Sequence, residues 1–215
     1  MFNIPSGHVN IASIIQSTQA LGPGVRAVVW VQGCPFRCTG CIAPGMIPFQ
    51  KAQLVTIEDL ANDLLSSSAV NGLTFSGGEP MEQAMALAGV AKLVRKRREV
   101  NIITFTGYRY ETLVKQPTRN GISELLAQTD VLIEGSYLKS LNNGTGLRGS
   151  TNQRIIHLTS RLKQFDLENY PRQNEILFNE RDYIFIGIPA YGVQESLETA
   201  LRSPELTERI SHERI

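Results

Sequence analysis

Residues 25–41 read VRAVVWVQGCPFRCTGC, and this stretch decides how the chain is expected to fold. Its first part, residues 25–32, is rich in β-branched and aromatic side chains, which is typical of a buried strand. The strand pattern stops at Gly33, and a loop rich in Cys, Pro and Gly runs from residue 34 to about residue 53. The stretch therefore predicts a central strand whose carboxyl end carries a loop with cysteines.

Strand and helix patterns alternate on both sides of this stretch. The other predicted strands are residues 9–17, 72–76, 101–106, 131–134, 154–158, 176–178 and 183–188. The predicted helices are a helix capped by Thr56 and the segments 80–98, 108–115, 122–127 and 191–201. Alternation of this kind predicts an α/β fold with a mostly parallel sheet. In such a fold the functional loops follow the carboxyl ends of the strands.

Composition limits the classes of function. A chain of 215 residues with 42% hydrophobic and 19% charged residues can form a single domain with a real core. The formal net charge of +1 argues against a nucleic-acid partner bound through a strong basic field. The sequence has no apolar run of membrane-spanning length, and residues 1–8 lack the basic and apolar regions that a signal peptide needs, so none is expected. We therefore expect a cytoplasmic protein that acts on neither nucleic acid nor membrane.

The three cysteines of the chain form a C-x3-C-x2-C motif at Cys34, Cys38 and Cys41. Three thiolates on one loop can hold three irons of a [4Fe-4S] cluster and leave the fourth iron open to another ligand. Two alternatives remain at this point: three ordinary buried thiols, or a zinc site completed by a histidine. The histidines available for zinc are His8, His157 and His212.

A second motif follows one strand and one helix later, at residues 75–80, which read FSGGEP. The glycine pair Gly77-Gly78 after a strand lets a ligand approach the backbone closely. Glu79 adds a carboxylate, and Pro80 suits the first position of a helix. Taken alone, the segment is more typical of a plain strand-to-helix turn than of a ligand site.

Together, the cysteine motif and the Gly-Gly-Glu-Pro segment resemble the radical S-adenosylmethionine superfamily. The resemblance implies a partial (β/α) barrel with a mostly parallel sheet. It also implies that the three cysteines ligate a [4Fe-4S] cluster whose open iron binds the amino and carboxylate groups of S-adenosylmethionine. The segment Gly77, Gly78, Glu79 and Pro80 would then bind this second cofactor, and no catalytic residue beyond the cluster ligands is expected.

Further segments narrow the resemblance. Residues 22–26 precede the cysteines, Thr106-Gly107 follows a later strand, and residues 130–135 come before the distinctive run 147–156. These segments and their order, over roughly residues 9–158, resemble the activating enzymes of anaerobic ribonucleotide reductases, which are small glycyl-radical activases. The further candidate cofactor-binding residues are Gly40 in the cysteine loop, Thr106 and Gly107 after a later strand, and Asn152 and Arg154 as polar contacts of the run 147–156.

The implied reaction is reductive cleavage of S-adenosylmethionine to a 5′-deoxyadenosyl radical. This radical would abstract a hydrogen atom from a glycine of a partner glycyl-radical enzyme. Because the chain has no cysteine for a second cluster, an external one-electron donor such as flavodoxin or ferredoxin is expected. The alternative is a radical S-adenosylmethionine enzyme that modifies another protein, a peptide or a small molecule.

Three features depart from the family pattern. Residues 42–44 are Ile-Ala-Pro where the family usually has an Asn, and Glu134-Gly135 replaces Asp-Gly. Residues 159–215 extend beyond the matched core of about 9–158, although residues 1–215 are expected to form one domain. The strand pattern 183–188 could complete the sheet, and residues 187–189 could close the cofactor pocket.

One glycine pattern matches a dinucleotide-binding motif but stands in a different structural context. Residues 144–149 satisfy G-x-G-x-x-G, which in dinucleotide-binding folds follows a strand and opens a helix. Here it follows a loop and precedes the predicted strand at Arg154. The pattern therefore favours a cofactor-facing, partner-facing or solvated loop over nicotinamide binding.

Overall fold

The computed structural model describes residues 2–178 and 183–201. Its main sheet has seven strands in the order β3-β1-β2-β4-β5-β6-β7. The strands are β1 (His8–Thr18), β2 (Arg26–Val31), β3 (Gln53–Thr56), β4 (Gly72–Gly77), β5 (Asn101–Thr106), β6 (Val131–Glu134) and β7 (Arg154–His157). The predicted strand around Trp30 thus lies inside the sheet, between β1 and β4.

The four neighbouring strands β2, β4, β5 and β6 run parallel. The strands β1, β3 and β7 pair antiparallel with their neighbours. The expected α/β class with a mostly parallel central sheet is therefore present. The partial (β/α) barrel is not confirmed, because the strand order of the described residues leaves β3 and β7 as the edges of an open sheet.

Helices cover one face of this sheet. They are α1 (Ile57–Leu64), α2 (Ala84–Arg97), α3 (Tyr110–Lys115), α4 (Ile122–Leu126) and α5 (Val193–Leu201), of which α1 to α4 contribute to this face. The cap predicted at Thr56 is present, since its side chain accepts a hydrogen bond from the Asp59 backbone N at 3.1 Å. Leu60 of α1 and Leu87 of α2 pack in one core cluster with Phe75 of β4.

The segment after β7 covers the opposite face. In β2, Ala27 and Val29 face the helices, whereas Val28 faces the other way and packs with Leu162, Ile186 and related residues. Among the described residues, the strands β8 (Asn174–Phe178) and β9 (Tyr183–Gly187) pair with each other in a two-stranded antiparallel sheet and with no strand of the main sheet. The expectation that 183–188 completes the main sheet is therefore wrong, because this strand uses its apolar side chains to cover a sheet face.

Other boundaries differ in smaller ways. The strand β3 falls at the end of the segment that was expected to be loop, and Pro44–Met46 forms a 3₁₀ turn within that loop. The helix expected at 80–98 begins as the 3₁₀ turn Pro80–Gln83 before α2 starts. None of the helices in the described part of the chain is long and apolar enough to cross a membrane.

Candidate active site

The loop after β4 is bonded directly to the end of β2. The Gly78 backbone N donates to the Val31 carbonyl at 2.7 Å, and the Glu79 backbone N donates to the Gly33 carbonyl at 2.9 Å. The cysteine loop folds back on itself, because the Cys34 backbone N donates to the Ile47 carbonyl at 2.9 Å. Because β2 and β4 pair in parallel, the two sequence motifs lie together at the carboxyl ends of these strands.

These loops surround one cavity. Its lining includes all three cysteines and the whole Gly-Gly-Glu-Pro segment. Thr106 and Gly107 line it as well, whereas Gly40 borders a neighbouring cavity that shares Cys41 with the first. The apolar part of the lining is Leu21, Trp30, Phe36, Ile42, Ala43, Ile47, Phe105, Ile188 and Pro189. The cysteines, the Gly-Gly-Glu-Pro segment, Thr106 and Gly107 therefore meet in a largely apolar cavity.

The cysteine thiols are half-buried. Burial raises the pKa of the Cys34 thiol to about 12 and also raises the pKa of Cys41, with the neighbouring Cys38 adding a smaller effect in the same direction. Thiolates in this loop are thus unfavourable without a compensating cation, and a coordinated metal supplies that charge. The donor set of three soft thiolates suits an iron–sulfur cluster.

Within residues 2–178 and 183–201, no three His, Cys, Asp or Glu side chains converge on one metal ion. Each cysteine of a [4Fe-4S] cluster binds a different iron, so a cluster does not require three side chains on one metal ion.

Of the three histidines considered for zinc, the structure describes His8 and His157. His157 pairs with Val131 at the start of β6, whereas the cysteines follow the end of the parallel strand β2. His157 and the cysteines therefore lie at opposite ends of the strands. The His8 Nδ1 atom lies 3.0 Å from the Ser6 carbonyl oxygen. His212 lies outside the described residues. The structure thus brings neither His157 nor a converging histidine set to the cysteine loop.

Glu79 joins two loops across the cavity. Its buried carboxylate accepts hydrogen bonds from the Met81 backbone N at 2.9 Å, the Thr106 hydroxyl at 2.8 Å and the Gly107 backbone N at 2.8 Å. Burial raises its pKa to about 7, and the hydrogen bonds from its three partners act against this rise. The carboxylate is therefore tied to the loop after β5 as well as facing the cavity.

Asn152 and Arg154 do not line the cavity. Arg154 instead forms ion pairs with the fully buried Glu134 and with Glu111, and the Asn152 side chain donates to the Ser136 carbonyl at 2.8 Å. The residue between them, Gln153, does line the cavity and donates to the Gly135 carbonyl at 2.7 Å. Sequence reasoning missed Gln153, although it lies within the distinctive run that had been noticed.

Comparison with known proteins identifies relatives of this chain. Residues 20–156 match the family model described as a 4Fe-4S single cluster domain. The anaerobic ribonucleoside-triphosphate reductase-activating protein of Enterobacteria phage T4 is 36% identical over 140 residues, which cover 62% of this chain and 85% of that protein. The Escherichia coli K12 protein of the same name is 30% identical over 151 residues, or 64% of this chain and 91% of its own length.

A second kind of activase also matches. The pyruvate formate-lyase-activating enzyme of Clostridium pasteurianum is 32% identical over 117 residues, which cover 52% of this chain and 45% of that protein. The residues that match the family model include both the cysteine loop and the Gly-Gly-Glu-Pro loop. The chain therefore belongs to the 4Fe-4S single cluster family and, within it, to the radical S-adenosylmethionine activases of glycyl-radical enzymes, whose cofactors are a [4Fe-4S] cluster and S-adenosylmethionine.

Proposed function

We propose that this chain makes a glycyl radical on a partner enzyme, with Cys34, Cys38 and Cys41 as the ligands of its cluster. The observation that supports this most is that the three cysteines and the Gly77–Pro80 segment line one cavity. Cysteine thiolates are the usual protein ligands of such clusters. The similarity to activating proteins of anaerobic ribonucleoside-triphosphate reductases favours an enzyme of that class as the partner.

When bound, the reduced cluster and S-adenosylmethionine supply the 5′-deoxyadenosyl radical that abstracts a hydrogen atom from the glycine. The protein's part is to orient and to shield. In the proposal Gly77 and Gly78 let the loop after β4 pack closely against the end of β2 and the cysteine loop, and Glu79 holds the loop of Thr106 and Gly107 beside the second cofactor. The apolar wall formed by Trp30, Phe105 and other residues keeps water away.

The remaining site residues take supporting roles in the proposal. Gly40 lets the cysteine loop turn, since its φ is +75° and a Cβ there would meet the Lys139 side chain at 2.6 Å. Asn152 and Arg154 act from outside the cavity by fixing the run that carries Gln153. In the proposal the sheet and the segment after β7 take the place of a partial barrel around the site, and residues 1–215 form one domain.

The proposal includes an external electron donor such as flavodoxin or ferredoxin. The three cysteines of the chain suffice for one cluster only, so the electron has to arrive from another protein. It also includes a cytoplasmic location, where cellular reductants keep thiols reduced.

The test is electron paramagnetic resonance of the reduced, reconstituted protein mixed with S-adenosylmethionine and the candidate reductase. We expect a stable glycine-centred signal that disappears when S-adenosylmethionine is left out. The Cys38→Ala variant should lose both the cluster and the signal, because the chain has no spare thiol. Thr39→Ala is the matched control, since Thr39 is exposed in the same loop and should behave as wild type.

Two results would contradict the proposal. One is full cluster content in Cys38→Ala, which would remove the ligand assignment. The other is rapid, multiple-turnover cleavage with a peptide or a small molecule and no glycyl signal with the reductase. That result would establish the alternative, a radical S-adenosylmethionine enzyme with a different substrate.

A further inference from the structure

The segment after β7 reaches the cavity although it lies beyond the family match, which ends at residue 156. The two reductase-activating relatives from phage T4 and Escherichia coli are covered over 85% and 91% of their own lengths but match only 62% and 64% of this chain. Nevertheless Gly187, Ile188 and Pro189 line the same cavity as the cysteines. One wall of the site is thus built from a part of the chain that the family match does not include.

Arg172 connects this wall to the Gly/Asn-rich loop, residues 142–148. Its guanidinium donates to the Asn142 side-chain oxygen at 2.8 Å and to the Pro189 carbonyl at 3.2 Å. It also donates to three carbonyls of the same loop, those of Thr145, Gly146 and Arg148. A guanidinium has five N–H donors in a fixed plane, so one side chain can bind several backbone oxygens at once.

Asn142 extends this connection into the cavity lining. Its side-chain nitrogen donates to the Pro189 carbonyl at 3.0 Å and to the Tyr137 hydroxyl at 3.3 Å. Asn142, Tyr137 and Pro189 all line the cavity. Arg172 lies one layer behind them, so its hydrogen bonds fix residues that face the site.

The loop is also packed tightly against the segment after β7. The Leu147 backbone N donates to the Leu167 carbonyl at 2.9 Å, and Arg148 pairs with Glu168. At Gly146, whose φ is +77°, an added Cβ would collide with the Glu168 carbonyl oxygen. The two chain segments are therefore fitted to each other at backbone level, which is expected of a fixed wall and not of a loosely attached tail.

We propose that Arg172 is a positioning residue of the active site. By binding the loop 142–148 and Pro189 together, it fixes the wall formed by Tyr137, Asn142 and Pro189, and this wall holds S-adenosylmethionine in one orientation. The segment after β7 thereby becomes a working part of the enzyme. The inference rests on the proposed function, because the cavity is taken to be the cofactor site.

The test compares Arg172→Ala, Arg172→Lys and Asn142→Ala with the control Arg161→Ala. Arg161 is also an arginine of the segment after β7, but it pairs with Glu99 and Asp130. Asp130 precedes β6, so this contact lies at the end of the parallel strands away from the cavity. Two measurements are made: the dissociation constant of S-adenosylmethionine with reconstituted protein, and hydrogen exchange of residues 142–149 and 187–190 in the protein without cofactors. Iron content and melting temperature are recorded for every variant.

We expect both Arg172 variants to bind S-adenosylmethionine about tenfold more weakly or worse, with iron content equal to that of the control. Arg172→Lys should not rescue binding, because one ammonium group cannot reach all five oxygens. Asn142→Ala should weaken binding in the same direction. Exchange in both segments should be faster in the Arg172 variants and unchanged in Arg161→Ala.

Several outcomes would overturn the inference. Affinity within about twofold of wild type in both Arg172 variants would show that the wall does not need this residue. Full rescue by lysine would mean that charge alone matters, and a loss of iron in step with the melting temperature would mean a purely structural role. If wild-type protein itself binds no S-adenosylmethionine, the proposed function fails as well, which separates the two failures.

Discussion

At the scale of single residues, Gly78 and Glu79 are neighbours that serve the site in different ways. The sequence suggested that the missing side chain of Gly78 makes room for a ligand. In the structure an added Cβ would instead collide with the Gly33 carbonyl oxygen and approach the Met46 carbonyl oxygen to 2.9 Å. Gly78 therefore allows the cysteine loop to pack against the loop after β4, and Glu79 then fixes the next loop.

Gly78→Ala should consequently disturb the cysteine loop itself. The methyl group meets backbone on the loop that starts at Gly33, so the strain of about 1–3 kcal/mol has to be relieved by moving that loop. We expect lower iron content after reconstitution and about tenfold weaker binding of S-adenosylmethionine. Gly45→Ala is the control in the same loop, because a Cβ there has nothing within 4 Å. Equal iron content in the two variants would disprove this account.

Glu79 predicts a pH dependence of stability in the protein without cofactors. Burial raises its pKa from 4.5 to about 7, so the folded state holds this proton more tightly than the unfolded state does. The stability from this group is fully present below about pH 4.5 and is lost as the pH rises through about 7. Between about pH 5 and 8, the melting temperature of wild type should therefore fall relative to that of Glu79→Gln, which cannot titrate. Parallel pH profiles of the two proteins would refute the assignment.

At the scale of elements, the sequence predicted correctly those helices, strands and caps that short-range sequence patterns determine. The strand 101–106 and the Thr56 cap were placed correctly from β-branched runs and a capping residue. The short strand β3 was missed, because its four residues gain their order from pairing with β1, which is a contact distant in sequence. Likewise, the run 147–156 suggested Asn152 and Arg154 as polar contacts, but only the packing of that run shows that Gln153 faces the cavity.

The end of β6 depends on one buried carboxylate. Glu134 is 0% exposed and receives Arg109 at 3.1 Å, the side chain of Arg154 and the Tyr110 backbone N at 3.2 Å. It occupies the position where the family pattern has Asp. These contacts tie β6 to β7 and to the start of α3.

Glu134→Ala should therefore lower the free energy of unfolding by about 1–3 kcal/mol, since the Tyr110 N–H loses its partner. The loss stays moderate because both arginines are nearly half-exposed and can turn toward water. Urea unfolding measures the change. Glu111→Ala, which removes only the exposed partner of Arg154, should cost less than about 1 kcal/mol. Equal effects of the two substitutions would contradict the role given to Glu134.

At the scale of the whole molecule, the sheet has two apolar faces and a different cover on each. Helices α1 and α2 bury Val29, Phe75 and their neighbours. The segment after β7 buries Val28, Ile103 and others under Leu162, Leu167 and Ile186. Exposed apolar faces of a sheet are unfavourable in water, so this segment completes the core as well as the cavity wall. The proposal of one domain over residues 1–215 rests on this shared core.

The strand β9 allows the one-domain proposal to be tested within a single element. Ile186 is 0% exposed against the sheet, whereas Ile184, two residues earlier in the same strand, is 37% exposed. Ile186→Ala should cost about 2–4 kcal/mol of unfolding free energy, and Ile184→Ala, which leaves no buried cavity, should cost less than about 1 kcal/mol. The measurement is urea unfolding of Ile186→Ala followed by the fluorescence of Trp30, which lines the cavity. If the segment and the core form one cooperative unit, the substitution lowers the urea midpoint of a single transition. A transition of the core that stays at the wild-type midpoint would show that the segment unfolds separately, and the chain would then consist of two units.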